Sequence, residues 1–258
     1  MQMKQVDRAG LPCAQVLGAR INALAWNEAI RVIGVWAGRR ESRYVCVSNV
    51  HMVVAARDDR ELANAMQQAD MATPDGAPIA WMLRRLGFAG QPRISGTELM
   101  RAYLAQAAER SEAIFLFGST QETLAGLAQK LKTDYPALVL AGAISPPFRP
   151  PTAEEDAAVV AQINASGART VWVSLGCPKQ EKWMLAHRGR VHAVMLGVGA
   201  AFDFIAGGKP RAPTWMQAAG LEWLHRLASE PGRLWKRYLV TNILFVAGAA
   251  WQLVFKSP

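Results

Sequence analysis

The chain has 258 residues, of which 51% are hydrophobic and 19% charged, so it can bury the core of one large domain and is not a disordered protein. Its three widely spaced cysteines, Cys13, Cys46 and Cys177, exclude a disulfide framework and favour a reducing compartment. The net charge of +9 would suit nucleic acid, anionic lipid or a phosphorylated substrate, and its position along the chain decides between them.

Strand-length apolar runs alternate with helical periodicity between residue 44 and about residue 206. This alternation is typical of βα units, in which helices connect parallel strands, so we predict an α/β fold with a parallel sheet. The predicted strands span residues 44–47, 113–117, 137–141, 170–175 and 193–198. The predicted helices lie near residues 58–68, 76–86, 97–110, 120–133, 152–165 and 179–187, and the proline-rich residues 145–151 predict a loop.

The composition changes after Gly207 and Gly208, where Trp, Leu and Arg recur at helical spacing. We therefore predict two units, an α/β core at residues 1–206 and a basic helical appendage at residues 207–258. The appendage holds seven Lys or Arg against two Glu, so more than half of the net charge lies in the last fifth of the chain.

The appendage ends in an uncharged segment, residues 239–255. Its 17 residues are at the short end of what could cross a bilayer, and Asn242, Gly248 and Gln252 interrupt it. Two interpretations stay open: a helix that lies in the membrane interface, and a buried C-terminal helix that covers the core. The basic residues before the segment, together with its Trp, favour the membrane surface.

Polar residues fall at or near predicted strand ends at four points, and all four could face one crevice, because ligands of open parallel sheets bind beyond the carboxyl ends of the strands. These clusters are Ser48-Asn49, Pro74-Asp75-Gly76, Phe117-Gly118-Ser119-Thr120 and residues 176–181. Gly118 and the start of the following helix resemble a small phosphate-binding turn. Asp75 is the most suggestive carboxylate, although a helix cap or a turn residue has the same Pro-Asp-Gly pattern.

We predict neither a metal site nor a cofactor. The chain contains no Asp-x-Asp pair, and its four histidines lack the spacing of metal ligands. An enzyme that releases a diphosphate without a metal needs arginines to neutralise the leaving phosphates. Arg226, Arg233 and Arg237 recur at spacings of seven and four, which places them near one face of a helical segment, although a solvated or lipid-facing basic stripe has the same pattern.

Taken in order, these motifs resemble the WecG/TagA/CpsF family of bacterial glycosyltransferases over about residues 18–238. The order and spacing of the motifs make the resemblance specific, since each motif alone is weak. The similar segments are Ser48-Asn49, Ala69-Asp70, Pro74-Asp75-Gly76, residues 93–99, 175–181 and 199–203, Arg211-Ala212-Pro213, and Leu221-Glu222-Trp223-Leu224 followed by Arg226, Pro231, Arg233 and Arg237-Tyr238. The resemblance implies a Rossmann-like, mostly parallel sheet flanked by helices, with a C-terminal helical appendage that associates with the membrane.

The resemblance also implies an activity. It implies inverting, metal-independent transfer of a hexose or N-acetylhexosamine from a UDP-sugar to a sugar carried on a polyprenyl diphosphate. Such a protein would work in cell-surface or exopolysaccharide biosynthesis, at the cytoplasmic face of the inner membrane, as a peripheral or monotopic protein. UDP-glucose and UDP-N-acetylmannosamine both stay open as donors, and the oligomeric state stays open as well.

The resemblance assigns roles to single residues. Asp75 would be the base that deprotonates the acceptor hydroxyl, and Asn49 would position the substrate beside it. The substrate-binding residues would be Ser48, Arg93, Gly96, Gly118, Pro178, Lys179, Gln180, Glu181, Arg226, Arg233 and Arg237. The last three would stabilise the departing UDP, and Lys236 is an alternative to Arg237 because motif spacing does not decide between neighbours.

Two features depart from the family pattern. Residues 145–148 read Ser-Pro-Pro-Phe where members more often carry a Gly-aromatic pair, and Cys177 occupies a variable position. The first departure could change which donor fits. A rival from another class is a membrane-docked protein that binds nucleotide sugars without catalysis, but Asn49, Asp75 and Arg93 are all present. A nucleic-acid partner is disfavoured because the Trp residues accompany an apolar tail.

Overall fold

The computed structural model describes residues 5–208, 212, 213, 215, 216, 221–229 and 231–255. The chain begins with a small antiparallel sheet of three strands, β1 (Gln5–Val6), β2 (Pro12–Val16) and β3 (Ala19–Asn22), and continues into helix α1 (Trp26–Gly38). The sequence patterns did not predict these four elements. Arg20 and Asn22 are buried in β3, so the strand lacks the alternation of apolar and polar residues that would reveal it.

Six parallel strands form the main sheet: β4 (Arg43–Ser48), β5 (Met71–Pro74), β6 (Ala113–Gly118), β7 (Val139–Ile144), β8 (Thr170–Ser174) and β9 (Val194–Gly197). Their order across the sheet is β5-β4-β9-β8-β6-β7. The parallel α/β architecture is therefore confirmed. The prediction missed β5 and placed the start of β7 two residues too early.

Helices α2 to α9 connect or follow the strands of the main sheet, and two further helices lie within the described residues 221–255. They are α2 (Val50–Ala55), α3 (Arg60–Gln68), α4 (Ala77–Arg85), α5 (Gly96–Glu109), α6 (Gln121–Asp134), α7 (Ala153–Ala165), α8 (Lys179–His187), α9 (Ala201–Ile205), α10 (Glu222–Ser229) and α11 (Pro231–Phe255). Several begin at a side chain that accepts a backbone N–H, and Thr152 forms a capping box with Glu155. The local sequence therefore sets where these helices start.

Apolar cores lie on both faces of the main sheet, because successive residues of each strand point to opposite sides. Val45 and Val47 of β4 join the core beneath α1, α5, α6 and α9. Tyr44 and Cys46 join the opposite core, to which α2, α3, α4 and α8 contribute. With both faces covered, only the edges of the sheet remain for a functional site.

Helix α11 packs against α2 along one stripe. Thr241, Phe245 and Ala249 are spaced four residues apart and are buried, with Phe245 and Ala249 in the same core as Cys46. The other sides of the helix expose apolar residues, including Ile243 at 61% and Val246 at 66%. The helix thus has features of both interpretations that the sequence left open. Within the described chain, the segment Tyr238–Phe255 is long and apolar enough to cross a membrane.

Gln252 fixes the end of α11 to the β2–β3 hairpin. Its Oε1 accepts a hydrogen bond from the backbone N–H of Leu17 at 2.8 Å, and its Nε2 donates to the carbonyl of Gln15 at 2.7 Å. Close packing accompanies these bonds, since a Cβ on Gly248 would lie 2.7 Å from a methyl carbon of Leu17. One side chain therefore satisfies two backbone groups of the hairpin.

Replacing Gln252 with Met should lower the free energy of unfolding by about 1–3 kcal/mol, because both backbone groups lose a partner while the side-chain volume is kept. Urea denaturation of the full chain measures this change. Gln162→Met, at an exposed position on α7, is the matched control and should change stability by less than about 0.5 kcal/mol. Equal stability of the two variants would contradict the prediction.

Candidate active site

The polar clusters that follow the strands lie at the carboxyl edge of the main sheet. Backbone hydrogen bonds link them: Asp75 N–H donates to the carbonyl of Ser48 at 2.9 Å, and Ser119 N–H donates to the carbonyl of Ser174 at 2.9 Å. The hydroxyl of Ser174 in turn donates to the carbonyl of Gly199 at 2.8 Å. The strand-end turns of β4, β5, β6, β8 and β9 therefore share one edge, where ligands of such sheets bind.

Ser48 and Asn49 end β4 and begin α2. The Oδ1 of Asn49 accepts the backbone N–H of Met52 at 3.1 Å, so the side chain caps the helix with its oxygen. This leaves the amide nitrogen as the group with which Asn49 could donate to a substrate. Ser48 is fully buried, and its hydroxyl has no hydrogen-bond partner within the described part of the chain.

Asp75 follows β5 and precedes Gly76, which adopts a φ of 89°. Gly76 occupies the N-cap position of α4, so Asp75 is not the residue at that cap. Asp75 is thus a half-buried carboxylate at the carboxyl edge that does not occupy the N-cap position of α4. This placement suits a group that acts on a ligand.

Arg93 lies close enough to Asp75 for the two charges to interact, and two further carboxylates bind it. Its Nη2 donates to both oxygens of Glu98 at 3.0 Å, and its Nη1 donates to Glu222 of α10. Burial alone would lower the pKa of Arg93, but Glu222, Glu98 and Asp75 outweigh burial and raise that pKa above its usual value. Arg93 is therefore a permanent positive charge beside the candidate base.

The roles of Glu98 and Glu222 were not predicted from the sequence. The Ser95-x-x-Glu98 spacing is that of a capping box, and Ser95 caps α5 while its hydroxyl donates to Glu98 at 2.7 Å. That spacing could have identified Glu98 as an ordered carboxylate. Glu222 reaches Arg93 across 129 residues of sequence, which no local pattern reveals.

Gly96 and Gly118 allow close packing at this edge. A Cβ on Gly96 would lie 3.1 Å from the carbonyl oxygen of Val198, and a Cβ on Gly118 would lie 2.4 Å from the carbonyl oxygen of Ser174. Gly118 also adopts a φ of 111°, which L side chains rarely adopt. The packing of the chain therefore requires Gly118, whether or not its backbone also binds a ligand.

The turn after β8 leads into α8, and its polar residues differ sharply in exposure. Lys179 is exposed and Pro178 is half-buried, whereas Gln180 is only 4% exposed and Glu181 is fully buried. The Nε2 of Gln180 donates to Oε1 of Glu181 at 2.7 Å. Burial raises the pKa of Glu181, although hydrogen bonds from Gln180 and Cys177 partly oppose the shift.

The remaining predicted residues belong to the C-terminal helices. Arg226 lies on α10, and Arg233, Lys236 and Arg237 lie on α11, but their side chains are outside the described part of the structure. Arg226 follows Glu222, which binds Arg93, by four residues, or about one turn of α10. Among the described residues, no group of three His, Cys, Asp or Glu could hold a metal ion.

Comparison with known proteins finds a family and a curated relative that this chain resembles. Residues 14–258 match the glycosyl transferase WecG/TagA/CpsF family. A relative from Bacillus subtilis (strain 168) is 32% identical over 192 residues, which make up 74% of this chain and 73% of the relative. That relative is named N-acetylglucosaminyldiphosphoundecaprenol N-acetyl-beta-D-mannosaminyltransferase.

Proposed function

Because the chain belongs to the WecG/TagA/CpsF family of glycosyl transferases, we propose that it moves a sugar from a UDP-sugar to a polyprenyl-diphosphate-linked sugar, with inversion and without a metal. One observation supports this proposal most directly: Asp75 and Arg93 interact at the carboxyl edge of the sheet. The backbone hydrogen bond from Asp75 to Ser48 holds Asp75 beside the strand end that Asn49 follows. A carboxylate beside a fixed cation suits a base that acts next to a phosphorylated substrate.

In the proposed reaction, Asp75 takes the proton of the acceptor hydroxyl. The acceptor oxygen then attacks the anomeric carbon of the donor sugar, and the bond between that carbon and the UDP oxygen breaks. Attack on the face opposite UDP inverts the configuration at the anomeric carbon. Asn49 donates a hydrogen bond that orients a substrate, and the arginines of residues 207–258 neutralise the departing UDP.

The helical segment at residues 207–258 contributes to this site in the proposal. The Glu222–Arg93 ion pair supports it, since it joins α10 to a residue that interacts with Asp75. Arg226 follows Glu222 by four residues on α10, which is about one helical turn. The C-terminal unit would thus bring cationic side chains toward the leaving group.

N-acetylmannosamine is the donor sugar that we propose first, with a polyprenyl-diphosphate-linked N-acetylglucosamine as acceptor. The name of the Bacillus relative supports this choice. Glucose is the second candidate because of the loop after β7. The Ser145 hydroxyl in that loop donates to the carbonyl of Ser119 at 2.7 Å, so the residues that depart from the family pattern lie beside the carboxyl edge.

UDP release from a panel of donors tests the reaction class. The panel contains UDP-N-acetylmannosamine, UDP-glucose, UDP-N-acetylglucosamine and UDP-glucuronic acid, each with a short-chain polyprenyl-diphosphate-linked N-acetylglucosamine or glucose, with and without EDTA. We expect release with one donor, unchanged by EDTA. UDP binding without turnover on any acceptor would instead favour a nucleotide-sugar-binding protein, and loss of release in EDTA would contradict the metal-independent mechanism.

We also propose that α11 holds the protein at the cytoplasmic face of the inner membrane. The exposed apolar sides of α11 support this proposal, because such a surface is unfavourable in water and binds readily at a lipid interface. The buried stripe of Thr241, Phe245 and Ala249 keeps one side of the helix against the protein. The helix would then lie on the membrane while the lipid-linked acceptor reaches the site.

Replacing Ile243 and Val246 together with Gln should weaken binding to vesicles of phosphatidylethanolamine and phosphatidylglycerol by about tenfold or more, because two exposed apolar side chains are lost. Vesicle flotation measures the bound fraction. Phe148→Gln is the matched control, since Phe148 is 88% exposed in the loop after β7. Undiminished flotation of the α11 variant would contradict membrane binding through this helix.

A further inference from the structure

Glu181, to which the family resemblance gave a substrate-binding role, is an acidic residue whose side chain is fully buried in this structure. Its Oε1 accepts a hydrogen bond from Nε2 of Gln180 at 2.7 Å, while its Oε2 has no hydrogen-bond partner among the described residues. An ionised carboxylate only accepts hydrogen bonds, whereas an amide has one donating end and one accepting end. In this structure Gln180 presents its nitrogen to the carboxyl group of Glu181 and its oxygen in the other direction.

The oxygen of the Gln180 amide lies near the carboxyl end of β9. A Cβ on Gly199 would lie 3.6 Å from Oε1 of Gln180, and a Cβ on Gly197 would lie 3.1 Å from its Nε2. Gly199 belongs to the linked turns of the candidate site, because its carbonyl accepts the hydroxyl of Ser174. The absence of side chains at Gly197 and Gly199 thus leaves room for the amide at the edge where ligands bind.

That oxygen is a buried acceptor in need of a donor. Gln180 is 4% exposed, and its Oε1 accepts no hydrogen bond from any described residue. A buried acceptor without a partner is unfavourable, so a site that keeps one gains when a ligand supplies the donor. Sugars carry suitable donors in their hydroxyl groups, and N-acetylated sugars carry an amide N–H as well.

We propose that Glu181 is a positioning residue: it fixes the orientation of the Gln180 amide so that Oε1 of Gln180 accepts a hydrogen bond from an O–H or N–H group of the donor sugar. The inference rests on the proposed function, because it names a contact to the sugar of the UDP-sugar. Glu181 acts through Gln180 and does not touch the substrate. Because this hydrogen bond is made by the sugar and not by the nucleotide, its loss should lower the affinity for the UDP-sugar and leave the affinity for UDP unchanged.

Glu181→Gln tests this role because it keeps the volume but removes the acceptor-only group. The new amide can face Gln180 with either end, so the Gln180 amide is free to turn over. We expect the affinity for the UDP-sugar to fall about three- to tenfold while the affinity for UDP alone is unchanged. Isothermal titration with UDP, UDP-N-acetylmannosamine and UDP-glucose measures both affinities without requiring turnover.

A double variant separates positioning from a general loss of packing. Gln180→Met removes the acceptor, and Glu181→Gln should then add no further loss in sugar-specific affinity, because both changes act on one hydrogen bond. Glu112→Gln is the matched control. Glu112 is also buried and accepts a hydrogen bond from Tyr103 at 2.7 Å, but it lies at the amino end of β6, so it should change the melting temperature alone.

The outcomes distinguish the inference from the proposed function. Wild-type sugar-specific affinity in Glu181→Gln, or an additive loss in the double variant, would overturn the positioning role alone. Binding of UDP-sugars by the wild-type protein without turnover on any acceptor would overturn the proposed function alone. Failure of the wild-type protein to bind any UDP-sugar would overturn both.

Discussion

Replacing Asp75 with Asn is expected to lower the turnover number by about 10²–10⁴-fold, because the amide cannot take the proton of the acceptor hydroxyl. The change keeps the size of the side chain and the backbone hydrogen bond from residue 75 to Ser48, so the fold should be retained. Loss of the negative charge beside Arg93 should leave the affinity for UDP equal or higher, since a cation becomes more available to phosphate.

Steady-state UDP release and titration with UDP, each on the purified variant, measure these two quantities. Asp134→Asn is the matched control, because Asp134 is an exposed residue that pairs with Lys130 at the C-terminal end of α6, the end away from the strand-end turns. The control should keep wild-type turnover. An Asp75→Asn variant with more than about a third of wild-type turnover would rule out Asp75 as the base.

Gly118→Ala should lower the free energy of unfolding by about 3 kcal/mol or more, through two effects that act together. The added Cβ would lie 2.4 Å from the carbonyl oxygen and 2.6 Å from the carbonyl carbon of Ser174, and backbone atoms cannot move away as a flexible side chain could. The φ of 111° adds backbone strain for any residue with a Cβ. Moving β6 away from β8 would also displace the turn that begins at Ser119.

Gly167→Ala separates the two effects. Gly167 also has a positive φ, at 71°, but a Cβ there would meet nothing within 4 Å. This control should cost about 1 kcal/mol from backbone strain alone. Urea denaturation of both variants gives the difference, and equal losses would mean that the collision with Ser174 relaxes without cost.

The parallel sheet was predictable from the sequence because its central strands are buried on both faces. Residues 113–117 and 171–173 are continuous apolar runs for this reason, and helices with clear starting signals separate them. The edge strand β7 is more exposed, and apolar residues 137 and 138 precede it directly. The apolar pattern therefore did not mark where the strand begins.

The elements that were missed depend on contacts between distant residues. In β3, Asn22 accepts the backbone N–H of Ala72 and donates to Asp7, while Arg20 forms an ion pair with Asp7 at 3.3 Å. These hydrogen bonds and this ion pair offset the free-energy cost of burying polar side chains. The partners are distant in sequence, so no local pattern reveals them. Strand β5 has only four residues and ends in proline, so it gives too short a signal.

The candidate site was likewise predictable only where local sequence patterns reveal its residues. The rule that ligands bind at strand ends accounts for Asn49, which follows the predicted strand at residues 44–47. Asp75 follows β5, which was not predicted, so only its Pro-Asp-Gly motif and the family resemblance identified it. The rule could not reveal that Glu222 binds Arg93, because the two residues meet only after the chain folds. It also could not reveal that Gln180 and Glu181, neighbours in one polar motif, are both buried.

The hydrogen bonds of Gln252 also bear on the order in which the chain is made. Gln252 lies 235 residues after Leu17, whose backbone N–H it accepts, on the helix that also packs against α2. During synthesis from the N-terminus, domains fold as their residues become available. The turn of the hairpin at residues 12–22 therefore gains this partner only after 235 further residues have been synthesised, so the hairpin is completed long after its own residues are available.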